Sequence, residues 1–132
     1  MGTIDSAIVA RLDAYAGLTA LIGTRIYPPP VPQNPTYPLV TYQEIDTLAP
    51  HAMGCTLAIR HARYQVDSWA STRKSAKAVA AQIEAALDNY AGTSDGVEIK
   101  NCFLDIGRES PYDPAEGEHR YIQEFLIEYV KP

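Results

Sequence analysis

Cysteine is scarce: the chain has two, Cys55 and Cys102, and neither belongs to a CxxC pair. A structural zinc site or a dithiol redox motif needs a cluster, so both are excluded. Two reduced thiols is the favoured reading, with a single Cys55–Cys102 disulfide as the alternative. Positive charge is in deficit, with 11 Lys and Arg against 16 Asp and Glu, a formal net charge of -5. Tight duplex DNA binding relies on a basic patch and is not expected; an acidic surface can still let DNA pass without sticking. No apolar run has the length a bilayer requires, and the N-terminus lacks a basic, then apolar, leader pattern, so a soluble protein made in the cytoplasm and free of membrane contact is expected.

Motifs of catalysis are missing as well. The three histidines, His51, His61 and His119, sit in no HExxH spacing. Ser68, His61 and Asp105 could form a triad on paper, but no GxSxG elbow supports it. The turn Gly92-Thr93-Ser94-Asp95-Gly96 follows a helical stretch and carries an acid, a poor phosphate cradle. Asp105, Glu109, Asp113, Glu116 and Glu118 lack the register of a calcium loop. No catalytic, cofactor-binding or metal-binding residue is assigned, no cofactor is expected, and the chain reads as a binding or structural protein rather than an enzyme.

The 132 residues, 46% hydrophobic and 20% charged, suit one globular domain over 1–132. Thr3 caps a helix to Ala16 with Ile4, Ile8, Leu12 and Tyr15 on one stripe. Gly17 ends or bends it, and Leu18, Leu21 and Ile22 make a short further turn closed by Gly23. Six prolines between Pro28 and Pro38 exclude helix and central strand and predict an extended connector. Leu39 to Asp46 is a strand, Thr47 to Gly54 the tip of a long hairpin, and Cys55 to Ala70 a second strand. Leu57 and Ile59 fall on the opposite parity to Tyr64 and Val66, which predicts a bulge or break near Arg60 to Arg63. Ser71 or Thr72 caps a helix with Ala76, Val79, Ala80, Ile83, Leu87 and Tyr90 on one face. Strands at Val97 to Ile106 and Tyr121 to Val130 flank an acidic loop from Gly107 to His119. The expected fold is α+β: a mainly antiparallel sheet of about four strands with two helices packed on one face, in the order α-β-β-α-β-β.

Two features point to assembly. Tyrosine outnumbers phenylalanine 9 to 2, and Tyr27, Tyr37 and Tyr112 fall in loops, where strand propensity does not account for them. The helix after Thr72 has Arg73, Lys74 and Lys77 at its start and Glu84 and Asp88 near its end, against its dipole. A head-to-tail neighbour would supply the complementary charge; a small tolerated penalty is the alternative. Candidate interface residues are these five, His51 and Met53 in the hairpin tip, Arg60 and Arg63 at the expected break, and Tyr112 in the acidic loop.

The order of segments resembles a family. The first helix leads into Gly23-Thr24-Arg25-Ile26-Tyr27-Pro28. The connector carries Pro32-Gln33 and Tyr37-Pro38-Leu39-Val40-Thr41-Tyr42. Tyr64-Gln65-Val66-Asp67-Ser68-Trp69-Ala70 runs straight into the alanine-rich helix, and a tyrosine-containing strand closes the chain. Nearly the whole chain is similar to the tail-completion, or tail-terminator, proteins of long-tailed bacteriophages and prophages. That resemblance implies a virion tail subunit, assembled in the bacterial cytoplasm, that forms a ring with itself, a hexamer. The ring would cap the major tail tube protein, offer a surface to a head-completion or neck protein, and let DNA through its lumen without specific binding. Another virion connector, such as a neck or minor tail protein, is the alternative.

Overall fold

In the computed structural model, which describes residues 2–112, 114 and 117–132, the chain opens with a reciprocal helix cap. The Thr3 hydroxyl accepts from the Ser6 amide at 3.2 Å, and the Thr3 amide donates to Ser6 Oγ at 2.8 Å. This closes two of the amides a helix start leaves open. Helix α1 (Ile4–Asp13) buries Ile4, Ala7, Ile8 and Leu12. The expected helix to Ala16 is shorter, because Tyr15 turns extended and starts α2 (Ala16–Ile22). The break thus precedes Gly17, while Gly23 closes α2 at a φ of 61 that favours glycine.

The connector contains a strand that its prolines concealed: β1 (Ile26–Tyr27) runs parallel to β2 (Leu39–Leu48), pairing Ile26 with Val40 and Tyr27 with Thr41. After β2 comes a small ribbon of β3 (His51–Ala52) and β4 (Cys55–Thr56), turning at Met53 and Gly54. β5 (Ile59–Ala70) returns antiparallel to β2. Thr72 caps α3 (Arg73–Leu87), its side chain accepting from the Ser75 amide at 3.1 Å. Asp95 and Gly96, both at positive φ, form the tight turn between β6 (Gly92–Ser94) and β7 (Val97–Glu109), and β8 (His119–Val130) completes the sheet.

The main sheet has six strands in the order β1-β2-β5-β8-β7-β6, with β3 and β4 as a separate pair. The expectation of about four strands and two helices is corrected to six strands, a two-stranded ribbon and three helices among the described residues. The additions are short or polar, so no alternating pattern announced them. The sheet is antiparallel apart from β1. Beneath it lie α3, which packs on β5, β8 and β7, and α1 and α2, which pack on α3. The core between these layers contains Tyr64, Val66, Phe125 and Ile127 from the strands and Val79, Ile83 and Leu87 from α3.

The expected break at Arg60 to Arg63 is also corrected. β5 pairs with β8 residue for residue from Ile59 to Ala70. The extra residue lies in the partner strand: the β2 register shifts between Glu44 and Asp46, opposite Tyr64 and Arg63. The parity conflict has a simpler origin. Leu57 precedes β5, and Ile59 faces the side of the sheet away from the helices.

Candidate functional site

Register places that second face in rows across β2, β5, β8 and β7. The first rows hold Leu39, Trp69 and Arg120, then Thr41, Asp67, Ile122 and Arg108. The third holds Gln43, Gln65, Glu124 and Ile106. The fourth holds Asp46, Arg63, Leu126 and Phe103, and the fifth Leu48, His61, Glu128 and Asn101.

The first two rows are closed and polar at their centre. Asp67 is 4% exposed and accepts from Arg120 Nε at 3.1 Å, from Arg120 Nη2 and from Gln65 Nε2 at 3.1 Å. The Arg120 guanidinium lies 4.7 Å from the Trp69 ring centre, and Trp69 Nε1 donates to Thr41 Oγ1 at 2.9 Å. Asp67 therefore ties β5 to β8 through Arg120, and Trp69 ties β5 to β2 through Thr41, while Gln65 braces Asp67 from within β5. Asp67 Oδ1 has no hydrogen-bond partner among the described residues.

The fourth and fifth rows are open. Phe103 is 47% exposed, Leu48 66% and Leu126 38%. With Arg63 and Glu128 they line a groove of about 480 Å³. Arg63 Nη1 holds Asp105 at 2.9 Å and Glu124 at 3.0 Å, contacts that keep the guanidinium charge fixed and raise its pKa. Sequence reasoning named Arg63 but missed Leu48, Phe103, Ile106 and Leu126. The signal was there in Cys102-Phe103-Leu104 and Phe125-Leu126-Ile127: three successive apolar residues in a strand put apolar surface on both faces.

The other candidate residues fall in separate places. Arg73, Lys77 and Tyr112 come together in a cleft of about 290 Å³ at the start of α3. Glu109 enters it, 2.8 Å from Arg73 Nε and 3.7 Å from Lys77 Nζ. Tyr112 stacks on His119 with ring centres 4.3 Å apart. Glu109 thus supplies, from within the chain, part of the negative charge that the basic helix start needs. Lys74 is exposed beside it. At the other end, Glu84 is exposed and Asp88 Oδ1 accepts from the Leu104 amide at 2.9 Å, tying the helix end to β7. His51 and Met53 are exposed on the ribbon, and Arg60 donates to the Leu57 carbonyl at its foot. Asp113 and Glu116 lie outside the described residues. The loop that begins at Gly107 in the sequence reading begins instead after Glu109, because β7 runs on.

No group of three or more metal-ligating side chains is assembled among the described residues. Both cysteines are free thiols: Cys55 is exposed, and burial pushes the Cys102 thiol up to about 12. No described helix is long and apolar enough to cross a membrane.

A family model described as tail completion protein gp17 matches residues 6–127. A chain from the virion of a native gene transfer agent particle has a similar fold, with a TM-score of 0.74 at 23% identity, over 98% of this chain and 96% of that one. No curated protein matches.

Proposed function

The chain belongs to the tail completion protein gp17 family, and on that premise we propose that it is a tail terminator, a structural subunit whose ring ends the tail tube and receives the head. The observation that carries the reading is the extent of the family match, residues 6–127, which takes in β1 to β7, β8 as far as Ile127 and all but the first two residues of α1. The sheet supports it by leaving the Leu48–Phe103–Leu126 end of one face open and by projecting a ribbon beyond its strands, features that suit a subunit completed by neighbours.

In this reading the subunit works by shape. Copies join head to tail into a ring, a hexamer, of the tube's diameter. One side of the ring stacks on the major tail tube protein and stops further addition, and the other is met by a head-completion or neck protein. The net charge of -5 suits a lumen through which DNA slides. The basic start and acidic end of α3, the ribbon with His51 and Met53, the Arg60 and Arg63 region and Tyr112 are the proposed contacts. No step requires a cofactor or a bond to be broken.

The test is production of particles without this chain, with tails measured by electron microscopy. Tails of irregular or excessive length, unjoined to heads, are expected. Tails of normal length joined to heads would overturn the reading. Tails of correct length that fail to join would assign the chain to the neck instead.

A further inference from the structure

None of residues 47–59 is Asp, Glu, Lys or Arg, although charged residues make up 20% of the chain. This uncharged stretch, bounded by Asp46 and Arg60, holds the ribbon together with the ends of β2 and β5 that feed it. It is also bare: Met53 is 102% exposed, Leu48 66% and Leu57 40%. Sheets normally guard projecting strands with charge. A ribbon that carries none, and holds apolar side chains out to water, is built to be covered.

The open groove on the fourth and fifth rows has the matching character. Its floor is Leu48, Phe103 and Leu126, Asp46 and His61 stand at its edge, and Arg63 is already held by Asp105 and Glu124. Glu128 on its wall is engaged by Asn101 Nδ2 at 3.2 Å. With the Asp46 and Glu128 carboxylates at its walls, such a surface disfavours an acidic partner, and its apolar floor suits an uncharged one.

We propose that the uncharged ribbon of one copy, residues 49–58, seats in the Leu48–Phe103–Leu126 groove of the next copy and is the principal contact closing the ring. The occupant is a second copy because one chain carries both complementary parts. They are different surfaces, so the contact is head to tail and leaves each copy one ribbon and one groove to extend the series. Leu48, on the groove floor, lies at the end of β2 where the ribbon leaves the sheet, so each ribbon starts at the border of its own groove and successive contacts are continuous. The inference rests on the proposed ring and specifies how it is held.

A cross-link tests it. The ribbon already carries the exposed Cys55, and Leu126→Cys adds a thiol to the groove, while Cys102 is buried and unreactive. Under mild oxidation with diamide, assembled particles and the concentrated chain should yield disulfide-linked multimers of this chain alone, up to the closed ring. Cys55→Ser with Leu126→Cys should yield none. In parallel, Met53→Asp and Phe103→Asp, both at exposed positions and checked for folding by circular dichroism, should each weaken self-association at least tenfold. Mixed together, they should form heterodimers through the one intact ribbon–groove pair, but no ring. Linkage of Cys55 to a different particle protein, or a wild-type ring left intact by Met53→Asp and free of cross-links, would overturn this inference and leave the ring standing. A wild-type chain that forms no ring, in solution or on particles, would remove the ring and the inference together.

Discussion

Tyr64 sits where three elements meet. Its buried hydroxyl donates to Asp5 of α1, with Glu44 Oε2 of β2 at 3.1 Å. Burial first, then the bond to Asp5, raises the phenol pKa from 10.0. Tyr64→Phe should cost about 2 kcal/mol at neutral pH, the scale of a hydrogen bond to a charged group, read by denaturant unfolding. The sign of the pH dependence follows from the raised pKa. The folded chain keeps a proton that the unfolded chain releases, so stability is complete below pH 10 and declines as pH climbs above it. Cys102 adds the same sign between 9.0 and about 12. Melting temperature across that window should therefore fall in the wild type and fall less steeply in both Tyr64→Phe and Cys102→Ala. Equal slopes would show that neither group is linked to folding. Asp67 makes a second residue-scale case. Arg120→Met would leave its buried carboxylate without its cation and should cost about 3 kcal/mol, whereas loss of an exposed ion pair would cost little. The sequence could put Tyr64 and Val66 on one face, but not give Tyr64 its carboxylates or Asp67 its arginine. Those partners lie 59 and 53 residues away for the hydroxyl of Tyr64 with Asp5 and for Asp67 with Arg120.

At the level of elements, the start and buried face of α3 were legible, but the helix ends at Leu87, so Tyr90 of the expected stripe lies beyond it. Its apolar stripe has the helical period, and Thr72 is a cap in form and in place. Thr72→Ala should lower stability by about 1 kcal/mol in thermal or denaturant melts. β1 and β6 were not legible, because two or three residues carry no period, and Gly92-Thr93-Ser94 reads as polar turn. The Asp95-Gly96 pair was the available clue, since two successive positive φ values suit a tight hairpin. The misplaced bulge teaches a related point: parity among the apolar residues of β5 signals no insertion, because Ile59 faces the open side and Leu57 lies before the strand, while the one irregularity in the β2–β5 pairing sits in β2 at Ile45. The reversed charges of α3 are now divided. Arg73 and Lys77 share Glu109, and Asp88 serves β7, which leaves Lys74 and Glu84 as the exposed ends. Lys74→Glu should therefore raise monomer stability slightly through the helix dipole, and any loss of association it causes would locate a charged contact at that end.

For the whole molecule, charge and contact chemistry make opposite demands on assembly, and salt separates them. Every copy carries a formal net charge of -5, so copies brought into a ring repel one another. Screening shortens the reach of that repulsion from about 30 Å at 0.01 M ionic strength to about 8 Å at 0.15 M. A ring held by the uncharged ribbon in an apolar groove loses only its repulsion as salt rises, and apolar burial itself is not weakened. Its self-association, followed by light scattering or sedimentation, should therefore strengthen between those two conditions. A ring held chiefly by the basic start of one α3 against the acidic end of the next would lose attraction as well and weaken over the same interval. The same charge predicts that duplex DNA is not retained at low salt, where a basic surface would bind most tightly. Strengthening with salt, together with loss of assembly in Met53→Asp but not in Lys74→Glu, would place the holding energy on the open face of the sheet rather than on the helix ends.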